Sequence, residues 1–292
     1  MQSANLDKFL NKEELRDFLE KKVLVYNNPS FISADPVSIP HFFSKKQDIE
    51  IAGLFTAIFS WGNRTTIIQK SRELMKEMDD APYDFIRNHR TADLKRLLLF
   101  KHRTFNTTDL LYFIHFLQSH YARYDSLESA FIPKLSNKKS ADNRPDRSSG
   151  FGKIKTHNEG STDENERVKK ALVFFYGRFF SLREVPIRTR KHISSPEKNS
   201  TCKRLNMYLR WMVRKDQGGV DFGIWKKISA ADLICPVDLH VARVARAFGL
   251  IRRKQTDWLT AMELTQALRE MDALDPIKYD FALFGMGVQG KY

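Results

Sequence analysis

Two residues of this 292-residue chain have the types and the setting for covalent chemistry, Lys203 and Asp238. A neutral lysine amine attacks a carbonyl-like carbon and can form a Schiff base. A fixed carboxylate stabilises positive charge that builds at the reacting centre. Lys203 falls in the first turn of a helix predicted over "STCKRLNMYLRWMVR", with Ser200 or Thr201 as its cap. In that helix Leu205, Tyr208, Leu209, Met212 and Val213 form the core stripe, which sets Lys203, Asn206, Met207, Arg210 and Arg214 on the opposite side. A surface lysine touching phosphate or solvent would satisfy the same pattern.

Asp238 stands between the apolar run "LICPV" and a second amphipathic stretch. There Val241, Val244, Ala245 and Phe248 repeat at helical spacing, and Gly249 sits where such a helix should end. The position is that of an N-cap, a role that stabilises by about 0.5–2 kcal/mol and needs no chemistry. Local physics leaves cap and catalyst both open.

The elements that must carry these residues are helical. "NKEELRDFLEKKVLVY" begins with Asn11 as a cap, and "DIEIAGLFTAIFSW" is apolar on nearly every side and reads as a buried helix. "NRTTIIQKSRELMKEM", "TADLKRLLLF", "NTTDLLYFIHFLQSHY", "ERVKKALVFFYGRFF", "TDWLTAMELTQALREM" and "DPIKYDFALFGMG" continue the period. No alternating runs meet at an Asn-Gly or Asp-Gly turn, so no hairpin is predicted. "FKHRTFN" and "DQGGVDFGIW" read as loops, Trp61 as a core residue, and Trp61 or Trp211 as rings able to stack on bases. Residues 136–166 are polar, with almost nothing to bury, and are expected to form a flexible insertion.

The composition points to a polyanionic partner. Lys+Arg number 49 against 35 Asp+Glu, a net charge of +14. The segment 187–215 holds nine cations and only Glu197 against them, and that focus favours phosphate binding over a solvated face of mixed sign. Two cysteines make neither a disulfide framework nor a four-thiolate cluster. The first residues lack the basic flank and apolar run of a signal peptide, and no stretch is apolar enough to span a membrane. The expectation is a cytoplasmic protein, away from membranes. His240, two positions after Asp238, reads as a helix residue rather than a metal ligand, and no metal or cofactor site is expected.

A lysine on a cationic helix, then "CPVDLHVARVARAFGL", resembles the helix-hairpin-helix DNA glycosylase superfamily. The pattern is nearest to the 8-oxoguanine glycosylase/AP lyases and their archaeal relatives. Over nearly the full length, "DIEIAGLFTAIFSWGNR", "KRLNMYLRWMVRKD" and "YDFALFGMGVQGKY" also resemble an uncharacterised bacterial family of unknown function, which supplies no activity. The first resemblance implies an all-α fold of two helical halves with a basic cleft between them. Residues of about 46–235 would form one half, and 1–45 with 236–292 the other.

The same resemblance implies a base-excision DNA glycosylase acting on double-stranded DNA, which the lysine would equip as an AP lyase. Asp238 matches the catalytic aspartate and Lys203 the nucleophilic lysine. Asn63 and Arg64 would plug the stack where a base is removed. Arg204, Arg210, Arg214, Arg243 and Arg246 would hold phosphates. The superfamily's hairpin carries Gly-x-Gly, whose bare amides grip a phosphate, but "PEKNSTCK" has no glycine; Asn199, Ser200 and Thr201 would replace those contacts at a helix N-terminus. The four-cysteine iron–sulfur motif of some members is absent. 8-Oxoguanine is the first lesion to consider, although no residue is assigned to reading it. The alternative is a non-catalytic nucleic-acid-binding protein on the same scaffold.

Overall fold

A computed structural model describes residues 11–133 and 164–290. Among these the chain is all-α apart from one minimal hairpin. In order the helices are α1 (Lys12–Tyr26), α2 (Pro29–Ile32), α3 (Lys46–Phe59), α4 (Arg64–Glu77), α5 (Pro82–Asn88), α6 (Thr107–Tyr121), α7 (Glu164–Phe179), α8 (Lys203–Val213), α9 (Leu239–Ala247), α10 (Trp258–Arg269) and α11 (Tyr279–Gln289). Short 3-10 turns fill several connections, including Asp93–Leu97 in the stretch expected to be helical. Among the described residues no helix is long and apolar enough to cross a membrane.

Helix starts follow the chemistry of their caps. Asn11 and Asn106 each accept two backbone N–H bonds while Glu14 and Asp109 reach back to the cap amide, so three amides are satisfied at each start. α7 begins inside the stretch expected to be a polar insertion. Residues 164–166 are helical, and Glu166 pairs with Lys169 at 3.1 Å. The rest of that stretch, 136–163, lies outside the described residues.

α3 is the buried centre of one side of the fold. Residues Asp48 to Phe59 are all buried, and the helix packs on α4, α5 and α8. Gly53 lets α8 come close: a Cβ there would sit 2.9 Å from Met212 Cε and 3.2 Å from the Tyr208 ring. Tyr208 then donates to the Glu50 carbonyl at 2.9 Å. The buried Glu50 carboxylate accepts from Trp225 Nε1 at 2.7 Å, Tyr121 OH at 2.9 Å, the Leu127 amide at 2.9 Å and Ser126. Burial raises its pKa, and those four donors oppose the rise. On the other side, α1 and α9 both pack on α11.

A hairpin is present where none was predicted. Lys101–His102 pairs antiparallel with Phe105–Asn106, register His102 to Phe105. Two-residue strands are too short to alternate visibly, and Arg103, at φ 55°, takes the left-handed turn position usually given to Gly or Asn. His102 Nε2 lies 3.0 Å from the Phe59 carbonyl, which fastens the hairpin to the end of α3.

Candidate active site

α8 and α9 meet at their first turns, and there the chain brings Lys203 and Asp238 together. Asp238 is the N-cap of α9: its Oδ1 accepts from the amides of His240 and Val241, each at 2.9 Å. The other oxygen, Oδ2, lies 3.4 Å from Lys203 Nζ. One oxygen therefore caps α9 while the other faces the Lys203 amine. Both side chains are about a quarter exposed, so the pair is reachable from solvent.

They stand in a cleft of about 620 Å³. Its walls include Phe31, Phe284, Met207 and the exposed Leu239, and its polar groups include Asp35, Arg64, Arg210 and Asp280. Burial raises the Asp35 pKa against the Val37 amide and three cations. It pushes Asp280 up to about 6, with Arg210 pulling the other way. His240 reaches the same cleft, its Nδ1 3.2 Å from the Gly287 carbonyl.

The expected plug residues lie at the rim. Asn63 is exposed and caps α4 through Thr66 N at 3.1 Å; Arg64 lines the cleft with its guanidinium 5.4 Å from the Phe284 ring centre. Two further residues stand beside them, from the segments read as a core or stacking tryptophan and as a loop. Trp61, read as core, is only half-buried and lines the cleft, while Arg103 lies 4.6 Å over its indole. Gly62, at φ +102°, makes room for that arginine: a Cβ would stand 1.8 Å from Arg103 Nη1. Trp211, the other ring offered for stacking, is fully buried and meets no base.

The turn before α8 differs from expectation. Neither Ser200 nor Thr201 is the N-cap residue; that is Cys202, left-handed at φ 50° and without a side-chain cap bond. Ser200 Oγ accepts from the Cys202 amide at 3.2 Å, and Thr201 Oγ1 from the Lys203 amide at 3.4 Å. Asn199 is also left-handed, φ 54°, and its side-chain amide donates to Asp257 at 3.4 Å. Asparagine tolerates that conformation better than most residues, which lets the turn form without glycine.

All five arginines assigned to phosphate make contacts within the protein. Arg210 and Arg214 are buried, not on an exposed face. Arg210 pairs with Asp221 at 3.2 Å and Asp280 at 2.5 Å; Arg214 pairs with Asp221 at 3.1 Å, Asp275 at 2.9 Å and Asp216. The polar face of α8 is covered by carboxylates from elsewhere in the chain, which a helical wheel cannot see. Asn206 is buried on it too. Arg204 donates to the Ile58 carbonyl at 2.8 Å, and Arg246 to the carbonyls of Arg253, Lys254 and Gln255, each at 2.9 Å. Arg243 is exposed, 3.2 Å from His240.

The model of one family, described as "Protein of unknown function (DUF2400)", matches residues 35–289. The chain belongs to that family. The match to DUF2400 takes in α3, the Lys203 helix, Asp238 and the α11 segment carrying Asp280, so every polar group named in the cleft falls inside it. No curated protein matches the chain, and no solved structure does.

Proposed function

We propose that the chain is a base-excision DNA glycosylase with AP-lyase activity, related to the helix-hairpin-helix superfamily that its motifs resemble. The observation that carries this reading is the pairing of Lys203 Nζ with Asp238 Oδ2 at 3.4 Å in one open cleft. The surplus of positive charge supplies the partner's sign.

In this reading the nucleotide swings out of the stack and its base enters the cleft. As the bond from C1′ to the base breaks, the base leaves with the electron pair and takes up a proton. The Asp238 carboxylate stabilises the positive charge left on the sugar. Lys203, once it has given up a proton, forms the new bond to C1′; ring opening then yields a Schiff base, from which strand cleavage follows. The rim pair Asn63 and Arg64 fills the vacated stack.

The test is a panel of duplexes carrying single lesions, 8-oxoguanine first, assayed for base release, with borohydride trapping on an abasic duplex alongside. Base release with a trapped covalent adduct is expected. Duplex binding with neither base release nor an adduct would overturn the enzymatic reading and leave a non-catalytic nucleic-acid-binding protein.

A further inference from the structure

The stretch 187–215 carried nine cations in sequence, and the fold engages several of them. Arg188 pairs with Asp109, Lys203 with Asp238, and Arg210 and Arg214 with buried carboxylates; Arg204 is spent on a carbonyl. Among the described residues Arg190 and Lys198 make no ion pair. Both instead converge on one phenol. Lys198 Nζ lies 2.6 Å from Tyr176 OH, and Arg190 Nη1 lies 3.4 Å from the same oxygen. Lys198 Nζ is also 4.7 Å from the centre of the Tyr176 ring, and the Arg190 guanidinium sits 4.9 Å over Phe180.

This is an unusual arrangement for two exposed cations. They repel, and a neutral phenol is a weak acceptor for both. Because the phenol oxygen accepts from each, its own proton is left to donate, and among the described residues it donates to no one. The hydroxyl proton and the remaining N–H groups of Arg190 and Lys198 thus stand together with no carboxylate on them among the described residues. Burial works against ionising Tyr176, yet the hydrogen bonds from Lys198 and then Arg190 hold its pKa below the ordinary value.

We propose that Tyr176, Arg190 and Lys198 form a binding site for one phosphate group, a phosphodiester of the nucleic-acid backbone, and that this site replaces the missing glycine grip of the hairpin. The fork of Arg190 and the ammonium of Lys198 take the non-bridging oxygens, and the phenol donates a third bond. The position fits a backbone contact near the reacting nucleotide. Lys198 is five residues before Lys203, so their α-carbons are at most about 18 Å apart. That is about five nucleotide steps along one strand.

The identity of the phosphate rests on the nucleic-acid reading above, so the experiment separates the two. Duplex affinity of the full chain is measured against salt for wild type, for Arg190→Gln combined with Lys198→Gln, and for Lys191→Gln, an exposed cation in the same segment. The double variant should lose about 0.9 from the slope of log K against log salt, the contribution of one phosphate. Tyr176→Phe should weaken binding several-fold with the slope unchanged. A slope in the double variant equal to that of Lys191→Gln overturns the proposal. Should wild type bind no duplex, the nucleic-acid reading fails by itself. Inorganic phosphate then decides, with the Tyr176 ring followed by NMR: a shift in wild type that the double variant lacks keeps the phosphate site, and no shift removes it.

Discussion

Arg210 Nη1 donates to Asp280 Oδ2 at 2.5 Å, tying α8 to α11 in the wall of the cleft across 70 positions of sequence. The same guanidinium reaches Asp221, which Arg214 shares. Removing one partner leaves the others charged and buried, a loss of about 3–5 kcal/mol. Arg214→Ala should therefore lower the urea midpoint strongly. Arg214→Lys should recover only part of the loss, because one ammonium cannot serve three carboxylates held by a fork. A near-neutral Arg214→Ala would mean that this network is wet and weak.

Lys203→Gln removes the amine and keeps an amide in its place. Its side chain is about a quarter exposed, so the melt should barely change. Borohydride should trap wild type on an abasic duplex and leave this variant uncoupled. Adduct formation undiminished in Lys203→Gln would assign the nucleophile elsewhere.

Asp238→Asn separates the two oxygens. Asparagine caps helices about as well as aspartate, so stability should fall by no more than about 1 kcal/mol, the helix-dipole contribution. Base release should drop by on the order of a hundredfold or more. Equal base release by Asp238→Asn and wild type would reduce this aspartate to a cap.

His120 supplies a pH signature. Its ring is buried, with Nε2 3.0 Å from the Ser126 carbonyl, and burial lowers its pKa to about 4. A lowered base favours the folded state fully above its unfolded value of about 6.5, and that contribution is lost as pH falls through 4. It is on the order of 3 kcal/mol. Asp280, raised to about 6, works in the opposite sense: its contribution is full below about 3.8 and is lost as pH rises through 6. NMR should find the His120 ring still neutral at pH 5. Titration near 6.5 in the folded protein would contradict this.

Most longer helices were legible because caps and stripes are local, whereas α2 and α5 were not expected, being too short to repeat a stripe. Asn11, Asn106 and Asp238 announce their helices within four residues, and the apolar run of α3 announces burial. The meeting of Lys203 with Asp238 followed from resemblance, since nothing in the spacing of 35 residues dictates it. What could not be read was long-range compensation. Arg210 and Arg214 look like a solvent face until Asp221, Asp275 and Asp280 fold over them, and periodicity reports one buried face of a helix, never the second. Asp280 gave one signal that could have been used. A lone carboxylate amid the apolar stretch "YDFALFG" must find a buried cation, and the nearest surplus lies in α8. Both tryptophans were offered for stacking, and only Trp61 reaches the cleft, because an indole's neighbours in space are not its neighbours in sequence.

The division of the Asp238 carboxylate bears on how this position can change over time. With one oxygen starting α9, a chain that abandons base removal would still keep an aspartate or asparagine here to fold. Lys203 has no such second employment; among the described residues its amine meets only Asp238. Under the proposed function, drift would therefore erase the lysine before the aspartate.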